Sequence, residues 1–398
     1  MAKRKKSKNI LGIEQKTWVW IFGIIAALGT IIASTTSVVN TCQTNNTLQI
    51  INKALEKVPT QIDMQNLPTI TMKLQELENK IKILEEKKIF LSTAILLKMG
   101  NIEFAHSDYT KAMDYYQEAL KQAKMNNDIE NTGNALGNIG AVYRNKGEAD
   151  KALKYHQQAL AVHMKSGNKQ GEANQLGNIG GVYQVKGEAA KALEYYQQAL
   201  AIHKEIGYRL GEATDLGNIG LIYKNKGKLD TALEYLEQAL DIDLSLDKEI
   251  GYKQGAAARL GNIGLVYRAK GELDTALKYH QQALAIVTEI GYKQGVANQL
   301  CNIGLVYKDK GELDKALDYN QRAITIHKEI GYKQGEANDL GNFGLIYKDK
   351  GESSEAMKYL KEALNILNQY DLYENRDIIE NAIKEIEVQQ SNSSSPIP

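Results

Sequence analysis

The chain has 398 residues, is 43% hydrophobic and 24% charged, and carries a formal net charge of +1. That balance removes any bulk electrostatic case for nucleic acid, and only four prolines in so long a chain favour helix throughout. Two cysteines, Cys42 and Cys301, lie far apart in unlike contexts and suggest neither a disulfide framework nor a metal site.

Residues 1–17 form a basic N-terminus, with Lys3, Arg4, Lys5, Lys6 and Lys8 close together. Trp18 to Val39 then runs without a charge and opens on Trp18 and Trp20. About 20 apolar residues suffice to cross a bilayer, and the basic flank and interfacial tryptophans orient a single span with the N-terminus cytoplasmic. Residues 18–39 are thus expected to be a transmembrane anchor. A cleaved signal peptide, ending near Ala33-Ser34, is the alternative and would leave a secreted protein. Either reading puts the remaining chain across the membrane from residues 1–17.

Residues 40–69 read as a polar linker with Pro59 and Pro68. Over 70–90 the apolar residues Ile70, Leu74, Leu77, Ile81 and Leu84 alternate steps of four and three, with Leu91 beyond a break at Lys88. That spacing fits either a short coiled-coil stalk, making a homo-oligomer through residues 70–91, or an amphipathic helix capping the segment after it.

From residue 91 the chain repeats itself. Leu136-Gly137-Asn138-Ile139-Gly140 returns at Leu176, Leu216, Leu260, Leu300 and Leu340, at steps of 40, 40, 44, 40 and 40. A period of this length means stacked supersecondary units. Within one unit Leu136, Ile139, Gly140 and Tyr143 share a helix face, and Lys146-Gly147 ends that helix. A second helix starts near Ala149 and ends at Ser166-Gly167, so each unit is a helical hairpin. The 44-residue step predicts one extra turn in the second helix before Gly251. Residues 371–388 read as a polar capping helix and 389–398 as a disordered tail.

The unit resembles the tetratricopeptide repeat, through Gly140, Tyr143, Gly147, Ala152, Tyr155 and Ala159 and their counterparts up to Gly344, Tyr347, Gly351, Ala356 and Ala363. A degenerate first copy keeps Gly100, Ala112, Tyr115 and Ala119 but has Glu103 and Ser107 in place of Tyr and Gly. The resemblance implies an all-α fold: a right-handed α-solenoid of seven hairpins over 91–370, preceded by the transmembrane helix and the stalk. It also implies that first helices line a concave groove. The Leu-Gly-Asn unit is similar to those of the spindle-orientation adaptors named for that tripeptide and of kinesin light chain. In those families such asparagines hold extended peptides.

Helical geometry places the groove-facing stripe opposite the apolar face. It carries Asn138, Asn178, Asn218, Asn262, Asn302 and Asn342 in an unbroken row, with Asn134, Asn174, Asn298 and Asn338 one turn earlier. A carboxamide both donates and accepts, and so matches a peptide backbone. With helices ~8–10 Å apart and a strand advancing ~3.3 Å per residue, six such groups would span about 15–18 residues. Gly137, beside the Asn, is expected to clear bulk from the groove, and Gly140 to let the two helices of a unit approach. The alternative is that the row only bonds neighbouring helices. Arg144, Lys224, Arg268, Lys308 and Lys348 share another position, fitting either an acidic ligand or the stabilisation of helix C-termini by cations.

No nucleotide, hydrolase, zincin or paired-cysteine motif is present. His163, His203 and His327 share one repeat position, too widely spaced for a common metal bond of ~2 Å. We expect no catalytic residues, metal or cofactor. The partner would be a protein or peptide in extended conformation, bound by a membrane-tethered scaffold. A receptor for a small signalling peptide and a purely structural spacer are the alternatives.

Overall fold

The computed structural model describes residues 92–393 apart from 371, 373 and 374. The expected anchor at 18–39 and stalk at 70–91 lie outside the described residues. Among those described, no helix is long and apolar enough to cross a membrane.

Among the described residues fifteen helices follow one another. Seven hairpins comprise α1 (Thr93–Ala105) with α2 (Tyr109–Met125), α3 (Ile129–Asn145) with α4 (Ala149–Ser166), α5 (Lys169–Val185) with α6 (Ala189–Glu205), α7 (Arg209–Asn225) with α8 (Leu229–Ile250), α9 (Lys253–Ala269) with α10 (Leu273–Glu289), α11 (Lys293–Asp309) with α12 (Leu313–Ile330), and α13 (Lys333–Asp349) with α14 (Ser353–Gln369). A last helix, α15 (Arg376–Ser393), packs on α14 and touches α13. It continues to Ser393, where the sequence suggested an end at residue 388; the Ser391 hydroxyl donates to the Val388 carbonyl at 2.8 Å within this last stretch.

Each hairpin closes in the same way. The first helix of the second hairpin ends with Gly147 at φ 75°, and Glu148 N–H reaches back to the Tyr143 carbonyl at 2.9 Å. This is a left-handed helix stop that glycine adopts without steric cost. Ala152 and Ala159 are fully buried on α4, where small side chains let the paired helices come close. Gly140 serves the same approach, as expected. A Cβ at the equivalent Gly220 would lie 2.8 Å from Leu236 Cγ and 3.2 Å from the Ala232 carbonyl. The Tyr143 and Tyr155 rings stack at 5.3 Å, and the same pairing recurs in every later hairpin.

The 44-residue step is taken up where expected. Helix α8 has 22 residues, against 17 in α6, and stops at Gly251 with φ 72°. Its added turn keeps Leu246 buried, so the phase of the stack survives.

From the second hairpin to the seventh, neighbouring hairpins join through one polar pair each, buried or nearly so. His156 meets Gln175 at 3.0 Å, His203 meets Asp215 at 2.7 Å, Asp243 accepts from Arg259 Nε at 3.1 Å, His280 meets Gln299 at 3.0 Å and His327 meets Asp339 at 2.7 Å. Each runs from a second helix to the next first helix. Successive first helices also touch one another, as α3 with α5 and α7 with α9, a closeness the described second helices do not match. The first helices therefore lie on the inside of the curve.

Candidate functional site

The inner surface is made by the outward faces of α3, α5, α7, α9, α11 and α13. Asn138, Asn178, Asn218, Asn262, Asn302 and Asn342 are all half-buried there, in register. One turn earlier Asn134, Asn174 and Asn298 are exposed, and Asn338 is half-buried.

Toward the C-terminal end the surface deepens into a cavity of about 660 Å³. It gathers Asn262, Asn298, Asn302, Asn338 and Asn342, together with Arg268 and Lys308, from three successive first helices. Leu305 and Leu345 supply an apolar strip, and Asn375, Ile378 and Ile379 at the start of α15 form an end wall. The other expected residues, Asn134, Asn138, Arg144, Asn174, Asn178, Asn218 and Lys224, lie on the first helices of earlier hairpins, and Lys348 lies on α13 outside the cavity lining.

The asparagine row is not uniform. At its two ends the carboxamides are used by the fold: Asn138 donates to Asn101 at 3.1 Å, and Asn342 donates to Cys301 Sγ at 3.0 Å. Asn178 lies 3.5 Å from Gln175 Oε1, the outer limit of a hydrogen bond. Asn338 accepts from Gln334 at 3.0 Å and from Asn375 at 3.1 Å. Among the described residues no side-chain hydrogen bond is made by Asn218, Asn262 or Asn302. None of these bonds is to a neighbouring backbone carbonyl.

The expectation for Gly137 holds in part: the equivalent Gly261, Cys301 and Gly341 border the cavity, but the space left is also filled from the next hairpin, since a Cβ at Gly137 would meet Gln175 Nε2 at 2.7 Å and one at Gly261 would meet Gln299 Nε2 at 2.9 Å. The physical reason is rotation, since one residue along a helix is about 100° around it. That glycine makes room for the buried polar partner in the next first helix. Cys301 replaces it once, and its thiol is pushed upward in pKa by burial first and by Asp339 next.

The row of cations divides as well. Arg268 Nε donates to Asp309 at 2.6 Å, Lys308 pairs with Asp349 at 2.8 Å, and Lys348 pairs with Glu385. Each partner sits on the next inner helix. Arg144 and Lys224 have no carboxylate partner among the described residues. Burial lowers the pKa of both, and repulsion from Arg268 lowers Lys224 further.

Sequence reasoning missed both ladders between hairpins. Their signal was present: Arg268 to Asp309 and Lys308 to Asp349 are each 41 residues apart. The histidine position singled out for its period belongs to the buried pairs, at His203 and His327. His163 is buried at the same position without a hydrogen bond, because Gln175 is taken by His156. No group of three or more metal-ligating side chains exists among the described residues.

The family model described as tetratricopeptide repeat matches residues 92–165, 172–245, 255–329 and 296–369. No curated protein matches. Among solved structures, the chain is similar to the Rap conjugation gene regulator of plasmid pLS20 in complex with the Phr* peptide, at 15% identity and TM-score 0.57, covering 88% of this chain and 94% of that one. It is similar to the apo form of RapI at 17% identity and TM-score 0.53, covering 70% and 99%. A putative kinesin light chain from Podosopora anserina, with nearly identical repeats, matches at 17% identity and TM-score 0.38, covering 48% and 93%. At these identities the likeness to the two Rap structures is one of fold.

Proposed function

The chain belongs to the tetratricopeptide-repeat family, and from that premise we propose a non-enzymatic interaction scaffold whose groove takes an extended segment of a partner protein. One observation carries this reading: the half-buried carboxamides of Asn218, Asn262 and Asn302, at successive repeat steps, are left unused by the fold. Partly desolvated polar groups without partners cost stability, and a peptide backbone satisfies both their donor and acceptor sides. The paired asparagines at either end hold the frame in which those three are presented.

Pull-down from cell extract with the full chain tests this. Changing Asn218, Asn262 and Asn302 together to Ala should leave the helical circular dichroism intact and abolish recovery of the partner. A folded triple variant that still recovers the same partner would sink the proposal.

A receptor for a short signalling peptide is the second reading. It is favoured by the α15 wall, which bounds the cavity at one end and suits a ligand of limited length. The Rap regulator, a protein of similar fold, is described in complex with a peptide. For residues 18–39 we propose a single-pass anchor that places the groove opposite the N-terminus, on the strength of the uncharged run and its basic flank. N-terminal sequencing of the mature chain decides between that anchor and a cleaved signal.

A further inference from the structure

One repeat position on the inner helices reads Arg144, Gln184, Lys224, Arg268, Lys308 and Lys348. The position that faces it from the next inner helix reads Val185, Asn225, Ala269, Asp309 and Asp349, with Glu385 of α15 last. The second half of the groove is therefore neutralised internally, cation by cation. The first half is not: Val185 and Ala269 stand where a carboxylate would be needed.

The surroundings of Arg144 make this a recess. The stripe position that carries Leu221, Leu265, Leu305 and Leu345 further along is Gly181 here. A Cβ on Gly181 would lie 3.1 Å from Arg144 Nη1 and 3.5 Å from the Tyr196 hydroxyl. The missing side chain leaves room for the guanidinium. Tyr196 donates to Gln184 Oε1 at 3.0 Å, fixing the polar floor beside it. Burial acts on Arg144 and Lys224 with no carboxylate to offset it.

Building on the peptide-groove reading, we propose that Arg144 and Lys224 are the anion-recognising part of the groove, each taking a carboxylate side chain of one extended acidic peptide. A partly desolvated cation gains from a charge-assisted hydrogen bond, and a guanidinium can hold a carboxylate through two. The two sites lie two repeat steps apart. At ~8–10 Å per step that is roughly 16–20 Å, or about five or six residues of extended chain. The ligand is thus a segment with Asp or Glu at both ends of such an interval and backbone in reach of the asparagines between.

The test is selection of random 16-residue peptides, displayed on phage, against the full chain. The expected outcome is enrichment of Asp/Glu pairs five or six residues apart. Binding of such a synthetic peptide should fall roughly 10- to 100-fold with Arg144→Gln and Lys224→Gln combined. It should hold with Lys270→Gln, which removes the same charge from a pair with Asp230 on the outer surface. Gln occurs naturally at the position, as Gln184, so the substitution is compatible with folding. Peptides selected without acidic enrichment, or binding unchanged in the double variant, would overturn the anion site while leaving the peptide groove standing. Selection of no peptide would overturn both.

Discussion

Ser107 sits at φ 65°, at the turn where the six later hairpins have glycine at φ 70° to 78°. Its side chain is buried, and its hydroxyl has no hydrogen-bond partner. Left-handed backbone and an unsatisfied buried hydroxyl are both costly for serine. Ser107→Gly should therefore raise stability by about 1 kcal/mol, net of the entropy glycine loses on folding. A urea-unfolding midpoint that falls instead would contradict this. The departure of this turn from the repeat pattern was legible in the sequence; its positive φ and buried oxygen were not, because both depend on how α1 and α2 meet.

At the scale of the element, the polar pairs between hairpins couple the stack to pH. Burial lowers His156 and His280 from 6.5 to about 4, with Gln175 and Gln299 opposing through hydrogen bonds and Arg144 and Arg268 adding to the fall. A depressed pKa means the neutral imidazole is favoured in the fold. Its stabilising contribution is complete above pH 6.5 and is lost as pH falls through about 4. Each contributes at most roughly 3 kcal/mol. Asp215 and Asp339, raised by burial, act in the opposite sense. Thermal unfolding should show Tm dropping between pH 6.5 and 4. The His156→Tyr, His280→Tyr double variant, which copies the tyrosine found at Tyr196, should drop less. Parallel pH profiles for the two proteins would refute the assignment. The surface pairs Lys186–Asp150 and Lys310–Asp274 repeat along the outer edge too, but exposed pairs are screened by solvent and add little to stability.

For the molecule as a whole, an open stack needs a last element that buries the final hairpin. Helix α15 does so with Ile379, Ala382 and Ile386, all nearly fully buried, and with Glu385 on Lys348. It also closes the groove, so stability and ligand binding meet there. Ending the chain after Gln369 should destabilise α13 and α14 by roughly 3–6 kcal/mol, the burial of two isoleucines. Hydrogen exchange in those helices should quicken while α3 to α6 keep their protection, since repeats depend mainly on neighbours. Unchanged exchange in α13 and α14 would show that the cap adds nothing. The same neighbour rule explains why seven hairpins, the α8 extension and the packing role of Gly140 could be foreseen. All follow from periodicity within one unit.

What the amino-acid sequence determined by itself was local: helix faces, glycine stops, the hairpin and its period, and the stripe of asparagines and cations turned away from the core. What only the tertiary structure decided was pairing between units. Gly137 faces Gln175, three of the five cations are neutralised, and three asparagines of the unbroken row of six remain unused, because each outcome depends on a residue roughly one repeat away. A side chain's environment in a stacked fold is completed by the next repeat, and the angle at which that repeat arrives is set by packing rather than by periodicity.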